Sequence, residues 1–320
     1  MMETPPSERK PAWLKIRPPK EKFGSIKATL KQLGLVTVCE EAHCPNTSEC
    51  WSGGTATFMV LGSVCTRGCH FCSVGKGIEG QPLDVFEPWK IASAIRKWGL
   101  DYVVITSVDR DDLPDQGASH FAKCIQMIKK HCEGVLVEVL IPDFRGDSEC
   151  LKTIVDAKPD VIAHNIETVE ELQRVARDSR AGYAQSLGVL ENVKKMNPCI
   201  YTKSSIMLGM GEQDESILRT MDDLRSVQCD FITFGQYLRP TERELPVFEY
   251  VTPEKFEWFK ERALEKGFRY CASGPFVRSS YRAGELFVKA LKEKTAESHV
   301  VQKSEGGIGK EAKGMVVASA

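Results

Sequence analysis

No apolar run in this 320-residue chain approaches the ~20 residues that a bilayer-spanning helix needs, so a membrane anchor of that kind is not expected. An excess of one charge is missing too. Lys and Arg total 43 against 44 Asp and Glu, a formal net charge of −1, which offers no field to gather nucleic acid or an anionic membrane. The opening MMETPPSERKPAW lacks the apolar core and small-residue cleavage pattern of a secretory signal. The expected location is therefore cytoplasmic, or an organelle matrix or stroma if a transit peptide was removed. A GxGxxG fingerprint after the first β-rich run is also absent, which argues against a dinucleotide fold. At 42% hydrophobic and 27% charged, the composition is that of a globular protein with a substantial core, either two domains or one α/β barrel.

Cysteine is what the chain has in excess, twelve residues in all. Disulfide scaffolds of that density belong to short secreted chains, so metal binding and buried thiols in a reducing compartment are the expected uses. Placement separates the two. Cys39, Cys44, Cys50, Cys65, Cys69 and Cys72 fall in one short stretch. Cys124, Cys132, Cys150, Cys199, Cys229 and Cys271 are scattered and read as core thiols, as Trp89 and Trp98 read as packing residues.

An amphipathic stretch at about 23–35 has helical spacing and leads into the cysteine region. From residue 56, β-rich runs at 56–62, 101–107, 135–141, 161–166, 201–208 and 231–238 alternate with helical patterns at 86–98, 117–131, 148–156, 169–177, 184–196, 214–227 and 254–266. Such alternation means βαβ units on a parallel sheet. Six units whose strands read as apolar on both faces predict an α/β fold, a partial (β/α)6 TIM-type barrel, with a doubly wound open sheet as the alternative. The expected organisation is a cysteine-bearing N-terminal extension at 1–55, the barrel at 56–270, a helical C-terminal segment at 271–300 and a mobile tail at 301–320. The polar segments CTRGCHFC, SVDRDDLPD, PDFRGD, HNIET, LGMGE and GQYLRP end or follow the runs, at the edge that carries the active site in parallel α/β proteins.

Cys65, Cys69 and Cys72 place three thiolates on one glycine-bearing loop. Three thiolates hold three corners of a four-iron cluster and leave the fourth iron open to a small molecule. A zinc site is the alternative, but it would need closure by a fourth ligand such as His70 inside the same loop. Cys39, Cys44 and Cys50 form a second set of three, and two such sets imply two clusters. Here the zinc alternative would use His43.

The CxxxCxxC spacing, with Phe71 before the last cysteine and directly after the first β-run, resembles the signature of the radical S-adenosylmethionine enzymes. Their partial barrel matches the six units. The two cysteine groups taken together, with CEEAHCPN, CTRGCHFCSV, ITSVDRDDLPD, HNIET, KSSIMLGMGE, GQYLRPT and ASGPFVRSSYRAGE, are similar to the lipoyl synthase family over about 12–290. Gln116 stands where that family has glycine, and Arg282 where it often has histidine.

The resemblance implies insertion of two sulfur atoms, at carbons 6 and 8 of an octanoyl chain carried on a protein lysine. The C–H bonds there are nonacidic, so only a radical can break them. The implied cofactors are two 4Fe-4S clusters and S-adenosyl-L-methionine. Cys65, Cys69 and Cys72 would hold the radical-generating cluster. Cys39, Cys44 and Cys50, with Ser280 of the RSSY segment or else Ser279, would hold a cluster consumed as sulfur donor. The strand-end polar residues Thr106, Ser107, Asn165, Glu167, Lys203 and Gln236, with Ser205, Gly209 and Gly211 nearby, are the expected contacts to S-adenosylmethionine. The mixed-charge loop Asp109, Arg110, Asp111 and Asp112 is expected partly to pair internally and partly to meet substrate. Implied partners are octanoylated lipoyl-carrier domains (a 2-oxoacid dehydrogenase acyltransferase subunit or the glycine cleavage H protein), a low-potential donor such as ferredoxin or flavodoxin, and a cluster-repair carrier. No nucleic acid and no membrane are expected among them. The alternatives are another radical sulfur inserter or methylthiotransferase, and a non-catalytic two-cluster electron carrier. The last would leave the βα array without a purpose.

Overall fold

The computed structural model describes residues 10–14, 22–42, 44, 46–47, 50 and 57–280. The region before the barrel contains helix α1 (Lys22–Leu33), the two-residue strand β1 (Val36–Thr37) and the single turn α2 (Val38–Glu41), capped by the Thr37 side chain. Strand β2 (Thr57–Val60) begins the barrel. The short parallel pair β3 (Val64–Cys65) and β4 (Gly75–Lys76) then brackets the second cysteine group. Strands β5 (Tyr102–Ser107), β6 (Leu136–Leu140), β7 (Val161–Ala163), β8 (Tyr201–Leu208), β9 (Phe231–Gln236) and β10 (Tyr270–Gly274) follow.

The sheet runs β1-β2-β5-β6-β7-β8-β9-β10, so every parallel strand lies beside its chain neighbour. A doubly wound sheet would reverse at a switch point; sequential order is the winding of a barrel. Its two edges are β1, antiparallel to β2, and β10, so the barrel is partial. Helices Glu87–Trp98, Ala118–His131, Ser148–Asp156, Tyr183–Met196, Asp214–Ser226 and Pro253–Glu265 fill the crossovers. Their ends follow ordinary chemistry: Asp147 accepts from the amides of Glu149 and Cys150, Thr252 from Lys255, and Gly99 takes φ 62° to stop the first of them.

Several expectations change. The sheet has a seventh parallel strand, β10, so residue 270 opens a strand and does not end the barrel. The 169–177 pattern forms a 3₁₀ turn, Glu170–Leu172, and one helical turn, Gln173–Ala176. Strands are not apolar on both faces. Outward side chains such as Phe58, Val103, Ile105, Val137, Val139, Ile206, Ile232 and Phe234 join two apolar clusters with Ile91, Phe121, Ile154, Met221 and Phe259 of the helices. Each such buried side chain contributes about 1.5–3 kcal/mol. The inward set, alternating with it, includes Tyr102, Thr106, Glu138, Lys203, Ser205 and Thr233 and is largely polar. Five of the six scattered cysteines are buried, but Cys199 is exposed. Trp98 stacks on Phe58, whereas Trp89 is exposed. Gln116 keeps the turn that glycine would favour, at φ 51°, with its amide donating to the Phe144 carbonyl at 2.9 Å. His43, Arg282, the helical run beyond Gly284 and the tail at 301–320 lie outside the described residues.

Candidate active site

The C-terminal edge of the strands opens into a cavity of about 480 Å³. Cys39, Cys44, Cys50, Cys65, Cys69 and Cys72 all line it, and so do Ser279 and Ser280. None of the twelve cysteines is in a disulfide. His70 is not part of the lining; it is exposed, with Nδ1 2.7 Å from the Val175 carbonyl, which removes it as a fourth ligand of the loop.

The cysteine loop is fastened from three sides. Arg67, between the first two cysteines, sends Nε to Asp111 at 2.9 Å and Nη1 to Asp143 at 2.8 Å, with Asp109 at 3.4 Å. Its side chain is 3% exposed and that of Asp143 is fully enclosed. Against the cost of burial, Arg67 holds the Asp143 carboxyl down at about 2. The Gly68 amide donates to Asp178 at 2.7 Å, and the His70 amide to the Ala176 carbonyl at 2.8 Å. Upstream, Leu61 leaves β2 at φ 70°. Its N–H donates to Glu87 at 3.2 Å, its carbonyl accepts from Arg110 at 3.1 Å, and Glu87 is held by His120 at 2.7 Å. The mixed-charge loop mostly pairs within the protein: Arg110 pairs with Asp112, and Asp109 and Asp111 face Arg67, while Asp109 also lines the cavity.

Each thiol of this loop has a backbone amide beside it: Arg67 N for Cys65 and Asp178 N for Cys69, both at 3.4 Å, and Val74 N for Cys72. Amide donors to sulfur are a means of tuning iron–sulfur sites. Burial, with the Asp109 carboxylate, pushes Cys65 up to about 12; burial pushes Cys69 up to about 11 and raises Cys72 as well. Such thiols ionise at neutral pH only against a bound cation, so the donor set fits a metal cluster.

The C-terminal segment closes the other side. Asn46, between Cys44 and Cys50, donates to the Phe276 carbonyl at 2.5 Å. A Cβ on Gly235 of β9 would lie 2.1 Å from the Val277 oxygen, so only glycine leaves room for this segment. Thr57 at the start of β2 donates to Ser280 Oγ at 3.0 Å. Arg278 lines the cavity with its Nη1 on the Val277 carbonyl at 2.7 Å; burial lowers its pKa, and Cys44 is the charge acting against that fall.

Among the strand-end residues, Thr106, Ser107, Asn165, Glu167 and Gln236 line the cavity. Ser107 Oγ and Asn165 Oδ1 are buried with no hydrogen-bond partner, as is Nε of the neighbouring Arg177, which sequence reading missed. These orphaned groups fit a polar ligand at this edge. Burial raises the Glu167 carboxyl, with Arg177 and Asn165 opposing. Thr106 donates to the Leu140 carbonyl at 3.1 Å. The Gln236 amide is spent on the carbonyls of Leu208, Tyr237 and Glu249 and the amide of Val251, so it pins a loop and offers no free group. Lys203 is a correction. Its ammonium is 2.7 Å from Glu138, both side chains are 2% exposed, and it lies outside the lining.

The Radical SAM superfamily model matches residues 59–224. The FeFe-hydrogenase maturase HydG of Carboxydothermus hydrogenoformans shares the fold, with a TM-score of 0.54 and 13% identity over 78% of this chain and 64% of that one. The open barrel with its cysteine loop is that of a radical S-adenosylmethionine enzyme, a class that works with a four-iron cluster and S-adenosylmethionine. Within it, the chain is 55% identical to the mitochondrial lipoyl synthase of Aedes aegypti (93% of this chain, 78% of the relative). It is 54% identical to the chloroplastic lipoyl synthase of Arabidopsis thaliana (89% and 74%) and 53% identical to the lipoyl synthase of Methanocella arvoryzae (89% and 97%). The chain belongs to the lipoyl synthase family, the sulfur-inserting radical enzymes whose resemblance its motifs carried.

Proposed function

We propose that this cavity builds the lipoyl group on an octanoyl-lysine of a carrier domain, drawing both sulfurs from a cluster held by Cys39, Cys44, Cys50 and Ser280. The observation that supports it best is that both cysteine triads and Ser280 line one cavity. When bound at Cys65, Cys69 and Cys72, the other cluster together with S-adenosylmethionine supplies a radical able to take hydrogen from unactivated carbon. Arg67 and its three aspartates keep the loop rigid for that task. Ser107, Asn165 and Arg177 offer their unpartnered polar groups to the cofactor's charged and hydroxyl groups, with the Glu167 carboxyl beside them on Asn165. Met59, Leu140, Met207 and Leu238 give an aliphatic chain an apolar wall and help exclude water. Thr57 keeps the Ser280 hydroxyl at the cavity wall. The donor of electrons is an external low-potential carrier. Two thiolate sites of this kind call for a reducing compartment, cytoplasm or organelle matrix.

Iron and sulfide analysis of anaerobically reconstituted chain should give about eight of each, the content of two four-iron clusters. An octanoylated carrier peptide should gain two sulfurs by mass. Retention of only half that iron, with no sulfur gained, would overturn the donor-cluster reading.

A further inference from the structure

The arginines around the cavity are not treated alike. Of the four arginines that line it, Arg67 pairs with aspartates, whereas Arg177 and Arg239 bond only neutral groups among the described residues, Gln173 and Ser186 for the first and the carbonyls of Glu242 and Glu244 for the second. Arg278 has only the carbonyls of Val277 at 2.7 Å and Pro275 at 3.4 Å as partners among the described residues. It lines the same cavity as Cys39, Cys44 and Cys50, and Cys44 is the charge that acts on it there. Its seat is built by an omission, since a Cβ on Gly235 would lie 3.3 Å from Arg278 Nη1. A guanidinium cannot shed its proton, and a cation in a protein wall without an anion is costly. Three thiolates and an alkoxide outweigh the charge of a cubane core and leave a net anion beside it.

We propose that Arg278 is the counter-cation of the donor cluster, a positioning residue whose charge stabilises the Cys39, Cys44 and Cys50 thiolates as a ligated set; this rests on the two-cluster reading above. It follows that the donor site is electrically complete only when loaded. The positive charge makes this cluster easier to reduce than it would be beside a neutral side chain, and it resists loss of iron. The arginine of the RSSY segment thus acts with its serine: one ligates, the other neutralises.

The test uses the full chain with Cys65, Cys69 and Cys72 replaced by alanine, so that only the donor cluster is loaded. Arg278→Gln, Arg278→Met and Arg278→Lys are compared with this parent by redox titration followed by electron paramagnetic resonance and by the rate of iron loss to a chelator. Gln and Met should shift the midpoint potential negative and speed iron loss about tenfold, and Lys should stay near the parent in both. Gln and Met variants with parental potential and loss rate overturn the proposal, and so does a Lys variant as impaired as Gln. Circular dichroism identifies any variant that has simply failed to fold, and the other neutral substitution then carries the comparison. A parent holding no iron overturns the two-cluster reading along with the proposal. A parent holding about four irons with no charge dependence overturns the proposal alone.

Discussion

The two cysteine triads share a cavity but are held in different ways. The Cys65 loop is tied by buried ion pairs to two strand-end loops and by its backbone amides to residues 176 and 178. The described residues around Cys39, Cys44 and Cys50 rely on neutral hydrogen bonds. Thr47 bonds the carbonyls of Cys39 and Cys44 at 3.1 and 2.8 Å, and Asn46 reaches the C-terminal segment. Charged fasteners hold the first site and neutral ones the described part of the second, so on removal of metal the second is expected to lose its shape first. That is a sensible division if the first cluster is permanent and the second is spent.

The strongest break of the contrast is Arg67→Met. It leaves three carboxylates facing one another in a buried site and should cost about 3–5 kcal/mol, seen as a lower urea midpoint. The variant should lose the iron of the Cys65 site and all cleavage of S-adenosylmethionine.

Acid should loosen the same region next. His164 is buried between the Ile141 carbonyl and Ser186, and burial, with Arg177, lowers its pKa from 6.5 to about 4. The unfolded chain therefore takes up the proton first. The His164 contribution is complete above pH 6.5 and falls toward pH 4 by up to about 3 kcal/mol, while Asp109, whose carboxyl burial pushes up to about 6, acts with the opposite sign over the same interval. The difference in urea midpoint between the parent and His164→Gln, measured across that interval, should show the fall.

Gly235→Ala attacks the opposite side. Its methyl would press on the Val277 carbonyl, an overpacking cost of about 1–3 kcal/mol. Donor-site iron and sulfur insertion should be lost while cleavage of S-adenosylmethionine persists. Asn46→Ala removes one hydrogen bond, worth about 1 kcal/mol. It should only speed the loss of donor-site iron to a chelator, leaving the thermal midpoint almost in place.

Much of this was legible in the residues because it is local. The CTRGCHFC loop, the strand-end loops and most helices rest on short spacings and on periodicity, and the structure gathers those loops at one cavity except LGMGE, whose Gly209 and Gly211 lie outside the lining. What escaped depends on distant partners. Lys203 has the position of a cofactor contact, and only Glu138 across two strands turns it into a buried pair. Gln236 is absorbed by carbonyls of other loops in the same way. Strand β10 was hidden in YCASG, five residues with no alternation strong enough to mark a strand. Arg67 stood in plain view inside the motif, and the acid-rich DRDD segment was the signal that it would find carboxylates.

The bond from Asn46 to Phe276 spans 230 residues of chain, whereas the charged fasteners of the Cys65 loop, the partners of Arg67 and the Asp178–Arg180 pair, are all present once residue 180 has been made. A nascent polypeptide can therefore make the ion pairs of the first pocket while the segment that closes the second is still untranslated. The second stays incomplete until Ser280 has emerged from the exit tunnel, so its sulfur cargo is received only after that point.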